Sequence, residues 1–154
     1  MPNWCSLSMH VKCTTEQGAE ELFDDIKLRQ SISDEKDEGM SIGSEDRYLF
    51  FSESDIYKDS VLINGSVKWC VHPDEFESMV NFILDRTAVY FVNLRYEELG
   101  CGEYGEFIYE DDKITHRYLP ADCFTDELFE SELIGDALDS LLSTRAVVDV
   151  VKKY

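Results

Sequence analysis

Residues 5–13, CSLSMHVKC, alternate without a break between apolar and polar side chains. Cys5, Leu7, Met9, Val11 and Cys13 fall on one face and Ser6, Ser8, His10 and Lys12 on the other. That is the period of a strand with one buried face. The next segment changes period. Thr14 with Gln17 resembles a capping box. Ala19, Leu22, Phe23 and Ile26 then recur at i, i+3, i+4 and i+7, with Glu20, Glu21, Asp24 and Asp25 outside. This spacing predicts an amphipathic helix of about four turns ending near Arg29.

The rest of the chain repeats the theme. Residues 30–46 are polar and contain Gly39 and Gly43, which predicts a loop. Tyr48–Ser52 reads as a short aromatic strand, 53–60 as a connection, and Val61–Val71 as a long strand in which Gly65 marks a bulge or bend. Pro73 suits a first helical position, and Phe76, Met79, Val80 and Ile83 form a second apolar stripe. Ala88–Tyr96 reads as a strand with Tyr90, Val92, Leu94 and Tyr96 on one face and Val89 and Phe91 on the other. Leu99–Gly102 is a turn. Glu106–Glu110 and Ile114–Leu119 make a hairpin around Asp111-Asp112. Pro120 interrupts the pattern, and Thr125 caps a helix to about Leu142 with Phe129, Leu133, Ala137 and Leu141 on one side, Leu128, Ile134 and Leu138 broadening that stripe, and Glu127, Glu130, Asp136 and Asp139 outside. The β-branched residues of 146–151 favour a last strand. Trp4 and Trp69, with large apolar areas to bury, are expected in the core.

The order β-α-β-β-α-β predicts an α+β fold, a ferredoxin-like split β-α-β sandwich with an added β-hairpin and a C-terminal helix. Residues 1–119 would form the ferredoxin-like domain with its hairpin, and 120–154 a helical extension packed on it. The helices would cover one sheet face. Ser6, Ser8, His10, Lys12, Asn93 and Arg95 would line the other, with the C-terminal helix over part of it.

Charge narrows the function classes. The 154 residues carry 33 Asp and Glu against 14 Lys and Arg, a formal net charge of −19. Aromatic residues reach 12%, which separates the chain from disordered acidic tails. The acidity is spread evenly, with 17 acidic and 7 basic residues in 1–77 and 16 and 7 in 78–154. A surface of this sign argues against direct nucleic-acid binding and against anionic membranes. No apolar run approaches the length of a transmembrane helix, and the N-terminus has no signal-peptide pattern. The expected location is cytoplasmic.

Cys5, Cys13, Cys70, Cys101 and Cys123 are odd in number and show no C-x-x-C spacing, so neither a disulfide framework nor a zinc site is expected. His10, His72 and His116 are scattered, and no spacing specifies a triad or a metal. No catalytic residue, metal ligand or cofactor is expected. Gly100, Gly102 and Gly105 supply turns; they do not complete a phosphate-binding glycine pattern.

Met1-Pro2-Asn3-Trp4-Cys5 runs straight into the first strand. Val67-Lys68-Trp69 precedes the second helix, and Tyr96-Glu97-Glu98-Leu99-Gly100-Cys101 is followed by Tyr104-Gly105-Glu106 and an acidic hairpin. In these features the chain resembles, over residues 1–118, a family of small phage, plasmid and genomic-island proteins beginning Met-Pro-Asn-Trp-Cys. The resemblance implies a ferredoxin-like domain, a bacterial host cell and no assigned activity, and it carries over no catalytic residue.

Together these readings point to a non-enzymatic, protein-binding inhibitor. It would block the basic nucleic-acid-binding site of a host defence complex, of restriction or CRISPR type, by mimicking phosphate charge. The expected partner is a basic host protein or nucleoprotein complex. The expected contacts are Glu97, Glu98 and Glu103 of the turn, Glu106, Glu110, Asp111 and Asp112 of the hairpin, and the helix faces. The alternative is a regulatory or assembly module that pairs sheet edges or faces, for example as a homodimer.

Overall fold

The computed structural model describes residues 4–36, 49–68 and 70–154, the side chains of 32–36 and 49–52 excepted. It is an α+β fold built on one seven-stranded sheet. The strands are β1 (Trp4–Cys13), β2 (Leu49–Tyr57), β3 (Ser60–Lys68), β4 (Val89–Glu98), β5 (Glu103–Glu110), β6 (Lys113–Tyr118) and β7 (Val147–Lys153). The helices are α1 (Glu16–Lys36), α2 (Pro73–Leu84), α3 (Asp126–Phe129) and α4 (Ile134–Arg145). The spatial order is β2-β3-β1-β4-β5-β6-β7, and every pairing is antiparallel.

The alternation of β1 decides which way the sheet faces. Cys5, Leu7, Met9, Val11 and Cys13 are all buried, four of them completely. They meet Ala19, Leu22 and Ile26 of α1 and Phe76, Met79, Val80 and Ile83 of α2 in the main core. Both helices therefore lie on one face. Thr15, rather than Thr14, caps α1, since its Oγ1 accepts from Gly18 N at 3.0 Å. Thr14 instead donates to Ala88 O, pinning the turn after β1 to the start of β4. At α2, Pro73 takes the first turn and Glu75 Oε1 accepts from His72 N at 2.9 Å.

Several boundaries differ from the sequence expectations. α1 continues past Arg29 to Lys36. No Gly or Pro lies between Gly18 and Gly39, so nothing interrupts propagation once the helix is nucleated. Of the expected loop, residues 37–46 lie outside the described residues, as does Trp69. β2 runs on through residues 53–57, where Ile56 packs against the main core, because an edge strand needs only one apolar face. Gly65 does mark a bulge, but the extra residue is on β2: Phe51 opposes Gly65 and Glu53 opposes Asn64. β3 stops at Lys68.

A second bulge resets β4. Lys12 opposes Phe91 whereas Cys13 opposes Val89, so Tyr90 is the extra residue. It turns outward, 49% exposed, and Val89 takes the inner position. Trp4 is not a core residue; it is 47% exposed, with Lys68 Nζ 5.8 Å from its ring centre.

The hairpin forms as the Asp-Asp turn requires. β5 and β6 are joined by Asp111 and Asp112 alone, with φ of 53° and 56°. Positive φ at both positions is the type I′ geometry that matches strand twist. Further along, the expected single helix is broken between Phe129 and Ile134. Thr125 Oγ1 caps α3 by accepting from Leu128 N, but the helix closes after one turn. The break resets the helical phase, so Leu128, Leu138 and Leu142 face inward while Phe129 and Leu133 are exposed. These three leucines, with Tyr104, Leu119 and Cys123, make a second small core on the sheet face opposite α1 and α2. Beyond α4, β7 hydrogen-bonds to β6 and becomes a sheet edge.

Gly105 shows how tightly the main core closes. A Cβ there would sit 2.5 Å from the Tyr96 hydroxyl and 2.6 Å from Arg117 O. Gly105→Ala is expected to cost about 1–3 kcal/mol, the usual range for overpacking, measured by urea denaturation. Adding Tyr96→Phe should recover only part of it, because the backbone contact remains.

Candidate functional site: the α4 face of the sheet

The face away from α1 and α2 is polar and organised in cross-strand rows. One row reads Glu53, Asn64, Ser8, Arg95, Glu106, Arg117 and Val148 from edge to edge. Its centre is Glu106, the more buried of two interior carboxylates among the described residues at 6% exposed. Arg117 Nη1 donates to Glu106 Oε1 at 2.9 Å. Asn93 Nδ2 and Arg95 Nε donate to Oε2 at 3.0 and 3.3 Å. Burying a carboxylate is tolerated only with such compensation.

The same arginines hold the C-terminal helix. Arg95 Nη1 reaches Asp139 Oδ1 on α4 at 3.0 Å, and Arg117 Nη2 donates to Leu142 O at 2.8 Å. The Tyr104 hydroxyl donates to Asp139 Oδ1 at 2.6 Å. That bond, with Arg95 behind it, holds the Asp139 carboxyl below its usual range. Burial, and then the bond to Asp139, push the Tyr104 hydroxyl upward.

Beside α4 the face stays open. Ser6, Ser8, Arg95, Glu97 and Tyr104 line a cleft of about 320 Å³. A second cleft of about 410 Å³ lies at the β2 edge among Lys27, Glu53, Asp55 and Asn64. Their serines, arginine and carboxylates can hold a polar group by hydrogen bonds. Among the described residues, no group of three or more His, Cys, Asp or Glu could hold a metal ion. No helix among them is long and apolar enough to cross a membrane.

The expected contact residues fall in three places. Glu97, Glu98 and Glu103 flank the short 3₁₀ turn Leu99–Cys101 at one end of β5. There Glu98 is already used, accepting from Gly100 N and Cys101 N. Glu110, Asp111 and Asp112 are exposed at the other end, with Asp112 Oδ1 accepting from the Tyr109 hydroxyl. Seven steps along β5 put the two ends about 23 Å apart. Glu106 lies between them but points under α4 into its arginine clamp, so it is a structural carboxylate.

The helix faces that the sequence also offers include the α3–α4 surface, where all seven carboxylates from Asp122 to Asp139 are exposed; Asp122 pairs with Arg145 and Asp139 with Arg95. Sequence reasoning missed His116. It stacks on Phe107 at 4.1 Å between centroids, and its Nε2 lies 2.7 Å from the Tyr96 hydroxyl. Burial lowers the His116 pKa and pushes the Tyr96 hydroxyl up. Histidine at an alternating β6 position was the available signal, since its neighbours Ile114 and Tyr118 share its face.

No family model matches the chain, and neither do curated proteins or solved structures.

Two tests follow from the geometry. Glu106→Gln should cost about 2 kcal/mol, the scale of hydrogen bonds to a charged group, and should raise hydrogen exchange in α4 before α2. His116 and His10 are both depressed by burial. Each binds its proton more readily in the unfolded chain, so its contribution is complete above the ordinary histidine value and is lost as pH falls through the lowered one. The urea midpoint should therefore drop between about pH 7 and pH 5, and His116→Gln should flatten that drop without abolishing it.

Proposed function

We propose that the protein is a non-enzymatic, acidic protein-binding inhibitor, of the kind a phage or other bacterial mobile element would make in its host's cytoplasm. Its target is the basic nucleic-acid-binding site of a host defence complex, of restriction or CRISPR type. One observation carries this reading. Every described arginine (Arg29, Arg86, Arg95, Arg117 and Arg145) is tied up in an ion pair. Lys12, Lys27, Lys58, Lys68 and Lys152 lie over aromatic rings. The net charge of −19 is thus presented by carboxylates on a folded frame, which is what charge mimicry of a phosphate backbone needs.

The ferredoxin-like assignment belongs to the same proposal. It is supported by the order β2-β3-β1-β4 with α1 and α2 on one face. The contact surface runs from Glu97 across the exposed carboxylates of α3 and α4, while Glu103 turns to the other sheet face, where its Oε2 accepts from Cys70 Sγ at 3.9 Å. Glu110, Asp111 and Asp112 form a second contact at the hairpin tip, and Glu106 supports the frame.

A second reading, assembly through sheet pairing, is favoured by β7, an edge strand with Val148 and Val150 more than half exposed. Sedimentation separates the two. A salt-insensitive dimer lost in Val150→Lys supports pairing, and a monomer supports the inhibitor.

The decisive experiment is affinity purification from bacterial lysate at low and high salt, followed by affinity measurement on the recovered partner. Glu130→Lys, Glu132→Lys and Asp136→Lys together should weaken binding by about 1.4 kcal/mol or more, a factor of ten. Glu110→Lys with Asp111→Lys should have a smaller effect. Recovery of no basic or nucleic-acid-binding protein at low salt would overturn the inhibitor reading.

A further inference from the structure

The cleft beside α4 is lined by two cross-strand rows of the sheet face opposite α1 and α2. In one row Ser6 of β1 opposes Glu97 of β4, and Glu97 opposes Tyr104 of β5. In the next, Ser8 opposes Arg95, and Arg95 opposes Glu106. Ser6, Ser8, Arg95, Glu97 and Tyr104 line about 320 Å³, the lower end of the range for small-ligand sites. The charges in this space do not balance. Arg95 gives Nε to Glu106 at 3.3 Å and Nη1 to Asp139 at 3.0 Å. Arg117 Nη1 reaches Glu106 at 2.9 Å. Two cations thus meet two carboxylates, and all four groups are taken up in holding α4. The Tyr104 hydroxyl is engaged with Asp139 as well. Glu97 stands outside this network. Among the described residues its carboxylate has no hydrogen-bond or ion-pair partner, and neither does the hydroxyl of Ser6 or Ser8. All three side chains are exposed. Lys68, on the same sheet face, lies over Trp4 in the row beyond Ser6.

We propose that this cleft receives a single guanidinium group, an arginine side chain of the basic partner. The partner rests on the inhibitor reading, and the chemistry rests on the cleft alone. Glu97 supplies the uncompensated charge, and Ser6 and Ser8 supply two acceptors on the β1 side.

The spacing of the acceptors favours arginine over lysine. Two residues along β1 separate Ser6 from Ser8 by about 7 Å. A guanidinium carries five N–H donors in a planar fork, so it can bond to Glu97 and both hydroxyls together. An ammonium is a compact point charge and reaches Glu97 with one hydroxyl at most. Tyr104 adds an aromatic wall, which also suits a flat cation. An anion is disfavoured, because the cleft's arginine already faces two carboxylates and Glu97 adds a third.

The test is a titration of the full chain with tri-arginine and, separately, tri-lysine peptides, followed through the amide resonances by nuclear magnetic resonance. Tri-arginine should shift Ser6, Ser8, Glu97 and Tyr104 saturably, and more than the α3 carboxylates or the hairpin tip. Tri-lysine should bind the cleft more weakly. Glu97→Gln, an exposed change that leaves the α4 clamp intact, should weaken the tri-arginine site about tenfold, the scale of one charge-assisted hydrogen bond. Shifts spread evenly over the acidic surface would overturn the proposal. So would equal affinity of the cleft for tri-lysine, or unchanged tri-arginine binding in Glu97→Gln. Mapping the unmutated chain decides the question even if the variant does not fold. The peptides need no host protein, so this outcome is separate from that of the lysate experiment. Failure here would remove this contact and leave the inhibitor reading standing, whereas an empty lysate experiment would leave the cleft's preference for arginine standing.

Discussion

β1 is hydrogen-bonded along both edges, to β3 on one side and β4 on the other. Its inward side chains touch both long helices through the main core. The position of every other element follows from those two constraints. Because Leu7, Met9 and Val11 must be covered, α1 and α2 are held to one face. Because Ser8 and His10 must not be, the opposite face starts polar and stays so until β5. A one-residue slip of β1 would exchange these sets and leave neither helix a surface to pack on.

What happens beyond β4 depends on electrostatics rather than on apolar alternation. The opposite face is closed over β5 and β6 by a short helical segment that buries Leu128, Leu138 and Leu142 and keeps its carboxylates exposed. Glu106 solves the problem from beneath. Two arginines gather on it, and their remaining donors reach Asp139 and Leu142 O on α4. A buried carboxylate thereby orients the cations that attach an acidic helix to an acidic protein. The remaining described arginines pair with outer carboxylates, Arg29 and Arg86 with Asp25 and Arg145 with Asp122, so the fold and its surface charge are one arrangement.

Much of this was legible because it repeats with short period. The apolar stripe of α2, the faces of β1 and the Asp-Asp turn are written in neighbouring residues. Tyr90 and Val89 exchange the faces that alternation predicts, because the bulge that exchanges them depends on the register of β1 against β4. Phe129 and Leu133 fitted a helical stripe that the break after α3 takes out of phase. Trp4 was placed by its size alone, yet the sheet end leaves it half covered. Glu106 looked like one more surface carboxylate, since nothing within six residues along the chain announces Arg95 or Arg117.

The sequence by itself determined the strand and helix succession through the first six elements, the hairpin, the negative charge and its even spread. Each of these is a property of periodicity or composition. Only the tertiary structure decided that Glu106 is interior and that His116 and Tyr96 share a hydrogen bond. Those facts depend on which strands lie side by side and on where bulges shift the register. Hydrogen-bonded pairing across long stretches of chain sets them, and local side-chain pattern does not encode it.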